Sequence, residues 1–352
     1  MAREKFCVGI DIGASAVKLC QLKRGKKGLM LDQYGHAPLT SGTVVDGAVM
    51  NPGRIVEAIQ ELRATHKIRN KQAAISVSGH SVIIKKITVP QMTTEELEQN
   101  IQWEAEQFIP FDIADVNIDF QVVNGNSSQQ GHMDVVLVAA KKDFINEYTS
   151  IIAEAGFEPM VCDVDSFAIE NMFLESYDSE LGDTIALVNV GATKTNINIL
   201  TSGISSFTRD LTVGGNGFTQ EIQKQLNVTQ EEAEALKLGG NKQNDVDSVV
   251  PQEVQRAIQT VADNVAAELQ RSFDFFSATS ADPTPNHIYI TGGSSRLRTL
   301  EQSLKARIGV SVTTLNPFRR INTEGHDPSY IASQSPSAGV AVGLALRFPG
   351  DC

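Results

Sequence analysis

Two short stretches carry side chains that could grip a polyphosphate: Val8-Gly-Ile-Asp-Ile-Gly-Ala-Ser15 and Leu187-Val-Asn-Val-Gly-Ala-Thr193. Setting Asp11 against Asn189 aligns Ile10 with Val188, Ile12 with Val190, Gly13 with Gly191, Ala14 with Ala192 and Ser15 with Thr193. Beyond the turn, Leu19 meets Ile197 and Leu22 meets Leu200. Each copy reads as a buried strand, a carboxylate or amide at its end, a Gly-containing turn and a second strand. Glycine at the point of closest approach leaves no Cβ in the way of an anion, so backbone N–H groups can converge on it. Ser15 and Thr193 add hydroxyl donors, Lys18 and Lys194 add charge, and Asp11 is a hard oxygen ligand suited to Mg²⁺ through the ion's waters. One such hairpin is ordinary strand-turn-strand grammar. Two aligned copies describe a duplicated grip on phosphate.

A third element continues the pattern. His287-Ile-Tyr-Ile-Thr-Gly-Gly-Ser-Ser295 is an apolar strand running into Gly292, Gly293 and two capping serines, ahead of the amphipathic run Leu297, Leu300, Leu304, Ile308. A strand, a Gly-Gly turn and a helix start can seat a flat nucleoside against bare backbone. A tight connection of no function would look the same, and the spacing of the three segments along the chain favours the ligand. Thr229-Gln-Glu-Glu232 is a capping box that sets Glu234 and Lys237 three residues apart on one helical face. Without a ligand, that pair is an exposed ion pair worth little.

The elements that must position these groups follow from periodicity. Helical runs at 165–176 and 337–346 bracket the second half, and the later one is rich in small residues (Ala338, Gly339, Ala341, Gly343, Ala345) that permit the close packing a hinge needs. Between the strands at 74–79 and 82–89 and residue 156, the order is strand, helix, two strands, helix. The first helix is opened by Thr93/Thr94 and Glu95/Glu96, and the two strands at 116–123 and 133–140 are joined by a polar turn at 124–132. That order describes a small split β-α-β subdomain. A helix over 251–276 buries Val254, Ile258, Val261, Val265 and Leu269, a core stripe and not a site. The Leu238-Gly-Gly-Asn-Lys-Gln-Asn-Asp stretch reads as a mobile loop.

A net charge of −12 over 352 residues argues against nucleic acid as a partner, since that needs a basic face. No 18-residue apolar run predicts a membrane span. Met1-Ala-Arg-Glu-Lys enters the first strand without room for a signal peptide, so a cytoplasmic chain is expected. Cys7, Cys20, Cys162 and Cys352 show no paired Cys-x-x-Cys spacing and read as reduced thiols.

The loops at 9–18 and 188–196, with the 291–297 segment, resemble the phosphate 1, phosphate 2 and adenosine motifs of the actin, FtsA and sugar kinase superfamily. The runs at 165–176 and 337–346 fall where that superfamily keeps its two connecting helices, and the likeness covers nearly the whole chain. Within it, an actin-type filament former carries a different insertion, whereas FtsA and the PilM family of type IV pilus machines carry one similar to this. Trp103-Glu-Ala-Glu-Gln-Phe-Ile-Pro-Phe111 and Val213-Gly-Gly-Asn-Gly-Phe-Thr219 look PilM-like. FtsA ends in a membrane-targeting amphipathic helix, where this chain reads Leu346-Arg-Phe-Pro-Gly-Asp-Cys352.

The resemblance implies an α/β actin-like ATPase fold, with two duplicated core lobes and an FtsA-type inserted subdomain. Its subdomain 1A would be 1–81, 156–182 and 333–352, 1C would be 82–155, 2A would be 183–213 and 286–332, and 2B would be 214–285. It implies ATP or ADP with Mg²⁺ as ligands. Phosphate contacts would come from Gly13, Ala14, Ser15, Lys18, Gly191, Ala192, Thr193 and Lys194, and the metal contact from Asp11. Adenosine contacts would come from Gly214, Gly215, Glu234, Lys237, Gly292, Gly293, Ser294 and Arg296. It further implies a cytoplasmic protein of type IV pilus biogenesis and twitching motility, peripheral at the inner membrane through the N-terminal peptide of PilN. Other pilus assembly proteins, motor ATPases and self-association also come with the family. An extended peptide can add backbone bonds along a strand edge, and Val82, Ile84, Ile87, Phe108, Ile109 and Phe111 are placed near that groove. Each of these six fits ordinary subdomain core equally well.

Many relatives place Asp where this chain has Asn189, and a Gly-Gly-Gly-Thr turn where it has Gly191-Ala-Thr-Lys194. An amide cannot carry negative charge or act as a base, so Asp11 and Asn189 are the catalytic candidates of a weak ATPase at most. Asp163 or Asp165 could supply the missing carboxylate. The rival readings are a superfamily small-molecule kinase, an FtsA-like filament protein and the cytoplasmic scaffold of a type II secretion system, which is normally fused to a transmembrane segment.

Overall fold

A computed structural model of the chain describes residues 6–26, 28–124, 131–178, 182–239, 252–280 and 282–351. Positions 240–245 of the polar stretch after Leu238, most of the 124–132 turn, Pro251 and Cys352 lie outside them.

The first lobe opens with a meander of β1 (Val8–Ile12), β2 (Ala16–Gly25) and β3 (Gly28–Pro38). A small ribbon of β4 (Val44–Val45) and β5 (Ala48–Val49) leads to α1 (Pro52–Thr65) and then β6 (Gln72–Val77), which joins β1 in parallel. The insertion follows as β7 (Val82–Pro90), α2 (Thr94–Glu106), β8 (Val116–Asn124), β9 (His132–Lys141) and α3 (Lys142–Glu154). Its three strands form a separate antiparallel sheet in the order β7-β9-β8. A capping box starts α2, with Glu96 N donating to Thr93 Oγ1 at 3.2 Å and Thr93 N donating to Glu96 Oε2 at 2.8 Å. β10 (Glu158–Val164) completes the first sheet in the order β10-β6-β1-β2-β3, and α4 (Asp165–Ser176) crosses to the second lobe.

The second lobe repeats the plan with β11 (Thr184–Val190), β12 (Thr195–Thr201) and β13 (Ile204–Leu211). After these come α5 (Gly215–Leu226), α6 (Gln230–Lys237), α7 (Gln252–Thr279) and β14 (His287–Thr291). The chain then runs through α8 (Arg298–Ile308), β15 (Ser311–Thr314), α9 (Pro328–Gln334) and α10 (Gly339–Leu344). The second sheet runs β13-β12-β11-β14-β15 with the same mixture of parallel and antiparallel neighbours as the first. The duplication therefore extends beyond the two hairpins to whole lobes.

α4 and α10 lie between the two sheets, and one buried cluster joins Cys7, Cys20 and Leu22 of the first lobe to Ile185, Leu187 and Leu200 of the second through them. Small side chains make this possible. A Cβ added to Gly343 would lie 1.7 Å from Ala168 O, and one on Gly9 would lie 2.2 Å from Ala341 O. Burial pushes the Cys7 thiol up to about 11, which keeps it protonated and inert. Among the described residues, no helix is long and apolar enough to cross a membrane.

Residues of the 82–155 segment contribute to two cores. Its sheet and α2 enclose their own core of Ile87, Leu97, Ile101, Val135 and Leu137. α3 instead buries Tyr148, Ile151 and Ile152 with Ile55 and Ile59 of α1. α3 thus lies against the first lobe, and Val82, Ile84 and Val138 of the small sheet pack on that same core.

Candidate functional site

The first hairpin closes with Gly13 N donating to Ala16 O at 3.1 Å, and its register sets Asp11 opposite Lys18. Lys18 Nζ lies 3.1 Å from Asp11 Oδ2, with both side chains 12% exposed. Burial pushes the Asp11 carboxyl above the usual carboxylate range, Lys18 opposes that, and Asp165 adds to it. A Cβ on Gly13 would stand 2.9 Å from Lys18 Nζ, so glycine here is what lets the ammonium reach the turn. His36 on β3 pairs in register with Lys18. Burial, then Lys18 and Arg296, hold its imidazole below the ordinary histidine range.

The second hairpin has the same register, Asn189 opposite Asn196, so the ion pair of the first copy is an amide pair here. Asn189 Nδ2 donates to Asn196 Oδ1 at 3.0 Å, and Asn196 Nδ2 donates to Asp210 Oδ1 at 2.7 Å. Asp210 Oδ2 accepts from Gly79 N, in the first lobe, at 2.9 Å. A second tie crosses beside it. Lys194 Nζ donates to Ser78 Oγ and lies 4.0 Å from Asp165 Oδ2. Asp165 also accepts from Ser78 Oγ, and from Ser76 Oγ at 2.6 Å. The lysine of the second phosphate turn is therefore engaged with the first lobe.

The residues expected to contact adenosine meet around that same turn. Gly215 N donates to Gly191 O at 2.8 Å and Asn216 N to Ala192 O at 2.7 Å. A Cβ on Gly214 would come within 2.8 Å of Gly191 O, Ala192 O and Lys194 N. Gly292, at φ +91°, would bring a Cβ within 2.6 Å of Asn189 Oδ1, and Ser294 Oγ donates to Gly191 O at 3.4 Å. Lys237 Nζ pairs with Glu234 Oε2 at 2.6 Å and donates to Thr219 Oγ1 at 3.1 Å and Gly215 O at 3.3 Å. Lys237 is thus packed on the start of α5, while Glu234 stays 45% exposed.

Two expected carboxylates separate. Asp165 faces the cleft, whereas Asp163 is buried with Arg347, Nε to Oδ2 at 2.9 Å. The six groove residues also separate. Val82 and Ile84 pack toward the first-lobe core, while Ile87 and Ile109 are buried in the inserted subdomain's own core. Phe108 and Phe111 are half-buried beside that second core, under Lys85 Nζ at 4.6 Å and Lys141 Nζ at 4.4 Å. Sequence reasoning missed His36, Ser78, Asn196 and Asp210, which reach the site from strands and loops with no motif of their own.

The donor set fits a magnesium nucleotide. Among the described residues, no three His, Cys, Asp or Glu side chains gather into a metal cage. A divalent ion at this turn would have Asp11 as its carboxylate, as suits a cation that keeps most of its waters. A Cβ on Gly293 would meet nothing within 4 Å, leaving open space at the turn proposed for the nucleoside.

One titration couples the lobes. Glu170 on α4 accepts from Asn198 Nδ2 at 3.0 Å, and Asn198 Oδ1 accepts from Ser205 Oγ at 2.7 Å. Burial pushes the Glu170 carboxyl up to about 7 from 4.5. Between those values an unfolded chain releases the proton while the folded chain keeps it, so stability falls as pH rises through that window. The expected loss is about 2 kcal/mol, somewhat under the full linkage of that shift. Urea unfolding from pH 5 to pH 8 should show it, and Glu170→Gln should flatten that part of the profile.

Residues 9–348 match the family described as type IV pilus assembly protein PilM. The cell division protein FtsA of Streptococcus pneumoniae serotype 2 is 25% identical over 263 residues, covering 68% of this chain and 56% of that protein. The match thus spans little more than half of that relative's length. A solved PilM-PilN type IV pilus biogenesis complex is similar with a TM-score of 0.84 at 28% identity, covering 98% of each chain. The ethanolamine utilization protein EutJ from Carboxydothermus hydrogenoformans has a TM-score of 0.57 at 15% identity, covering 97% of this chain and 89% of that one. MreB 5 of Spiroplasma citri bound to AMPPNP has a TM-score of 0.52 at 13% identity, covering 96% and 94%. The last two are alike in fold alone.

Proposed function

The chain belongs to the type IV pilus assembly protein PilM family and has the actin-like ATPase fold, and from that premise we propose that it is a pilus assembly protein whose partner docking is governed by a nucleotide held between its lobes. The observation that carries this reading is the engagement of Lys194 with Ser78 and Asp165 across the cleft. A phosphate group would compete with Asp165 for that ammonium. Lys194 would then change allegiance, and the residues that bind the nucleotide would be those that set how the lobes are tied. Gly13, Ser15 and Lys18 would meet phosphate from the first lobe, and Gly191, Thr193 and Lys194 from the second. Asp11 would hold Mg²⁺ through its waters, and the ion when bound supplies positive charge against the phosphates.

Slow or absent hydrolysis follows from the same geometry. Asn189 offers an amide, which is no base, and the Asp165 carboxylate accepts from two serines. Neither is free to take a proton from water. The partner is read from the solved relative named as a PilM-PilN complex: the cytoplasmic N-terminal peptide of PilN would lie against β7. That strand is at an edge of its sheet, where the carbonyl of Ile84 accepts a long 3.5 Å bond from Thr208 Oγ1 of β13. Such docking would make the protein cytoplasmic and peripheral at the inner membrane. Purified protein free of contaminating ATPases should bind Mg·ATP and turn it over far below one per second, and turnover at tens per second would overturn the reading. Gly293→Val should block nucleotide binding while leaving the circular dichroism spectrum unchanged. Peptide binding that survives Phe108→Ala/Phe111→Ala would remove those two rings from the groove.

A further inference from the structure

Resting on the reading that an extended peptide docks along β7, we propose that β13 of the second lobe is a built-in competitor for the same strand edge, free for a peptide only when β13 withdraws. The two strands lie against each other, β7 at the edge of the small sheet and β13 at the edge of the second-lobe sheet. A bulge turns β13 toward β7. Its pairing with β12 sets Ser205 against Leu200 and then Phe207 against Ile199, which leaves Ser206 as an extra residue. An extra residue reverses the in-out alternation of the strand beyond it. Phe207 therefore goes to the α7 side, its ring centroid 5.8 Å from that of Phe276. Thr208 and Asp210 pair in register with Asn198 and Asn196 on the opposite face, where Asn198 meets Glu170 of α4.

Both side chains reach backbone at the start of β7. Asp210 Oδ2 accepts from Gly79 N at 2.9 Å, and Thr208 Oγ1 donates to Ile84 O at 3.5 Å. The Ile84 carbonyl thus points away from β9, and in the regular β7–β9 ladder Lys86 and Thr88 turn their N–H and C=O groups to the same open edge. A docked strand would run about 4.8 Å from β7, through the space that holds the Thr208 side chain, and its own N–H would take the Ile84 carbonyl. Peptide and Thr208 therefore exclude each other. The hydroxyl bond is long and weak, so a backbone donor at ordinary distance displaces it. The Asp210 carboxylate on Gly79 is the stronger half of the clasp. That half also leads to the nucleotide cleft, because Asp210 Oδ1 accepts from Asn196 Nδ2 at 2.7 Å and Asn196 Oδ1 accepts from Asn189 Nδ2 at 3.0 Å. Lys194 of the second phosphate turn holds Ser78 next door. The second lobe thus grips the stretch from Ser78 to Ile84 at both ends.

Fluorescence anisotropy of the labelled N-terminal peptide of the cognate PilN separates the edge from the clasp. Lys86→Pro removes one outward N–H at a position where an edge strand tolerates proline, and should weaken the peptide about tenfold with unchanged circular dichroism. Thr208→Ala/Asp210→Ala removes the competing side chains and should strengthen the peptide about fivefold, a gain that mere loosening of the fold would not give. In the wild type, saturating peptide should speed amide exchange at Gly79, because its carboxylate acceptor leaves with β13. Affinity that falls in Lys86→Pro but does not rise in Thr208→Ala/Asp210→Ala would overturn the clasp and leave the docking edge standing. So would a Gly79 amide that stays equally protected with peptide bound. Affinity untouched by Lys86→Pro would instead remove the peptide from that edge, and the competition with it.

Discussion

Replacing Gly343 with alanine is expected to destabilise the fold by about 3 kcal/mol, at the upper end of what overpacking typically costs. The new methyl would stand 1.7 Å from Ala168 O and 2.4 Å from Ala168 C. Both obstacles are helix backbone, which cannot rotate away as a side chain would. α10 and α4 would have to part, and the buried cluster they share joins the sheets of both lobes, so the loss would spread to each. Denaturant unfolding measures it, with Gly42→Ala as a poor control because Gly42 holds φ +83° and Gly53→Ala as a fair one. A Cβ at Gly53 meets only Asn51 Oδ1, at 3.8 Å. Full stability in Gly343→Ala would show that the helices are not packed as closely as described.

Lys194→Ala is expected to weaken Mg·ATP binding about a hundredfold, the size of a lost charge-assisted contact in a sheltered site. It should also loosen the nucleotide-free protein, seen as faster amide exchange at Gly79, whose N–H reaches Asp210 across the same boundary. Asp165→Asn carries the opposite sign. Removing the carboxylate that competes for Lys194 should tighten nucleotide binding several-fold, whereas a lysine that served phosphate alone would leave it unchanged. Weaker binding in Asp165→Asn would instead assign that carboxylate to the metal.

Much of this was legible from the chain because it is local. A strand, a Gly turn and a strand lie within some fifteen residues, and the Asp11–Asn189 alignment carried the register with it, down to Lys18 opposite Asp11 and Asn196 opposite Asn189. The meaning of Asn189 was less legible. Alone it looks like an aspartate lost, and only beside Asn196 and Asp210 does it become one end of a polar chain to the other lobe. Ser78 and Asp165 are 87 residues apart and bear no motif, so their convergence with Lys194 depends on the fold. The groove residues are a different case. Ile84 and Ile87 are an odd number of positions apart on one strand, which places them on opposite faces of the sheet, and that signal was available without coordinates.

The central claim is that nucleotide and partner report on one conformational equilibrium. Fluorescence anisotropy of the labelled N-terminal peptide of the cognate PilN, titrated with protein alone, with Mg·ADP and with a non-hydrolysable Mg·ATP analogue, tests it most directly. The expected result is an affinity that changes between nucleotide states, about fivefold or more, with the nucleotide's own affinity changed by the same factor when peptide is saturating. Identical peptide affinity in all three conditions, with nucleotide binding verified in the same samples, would contradict the account.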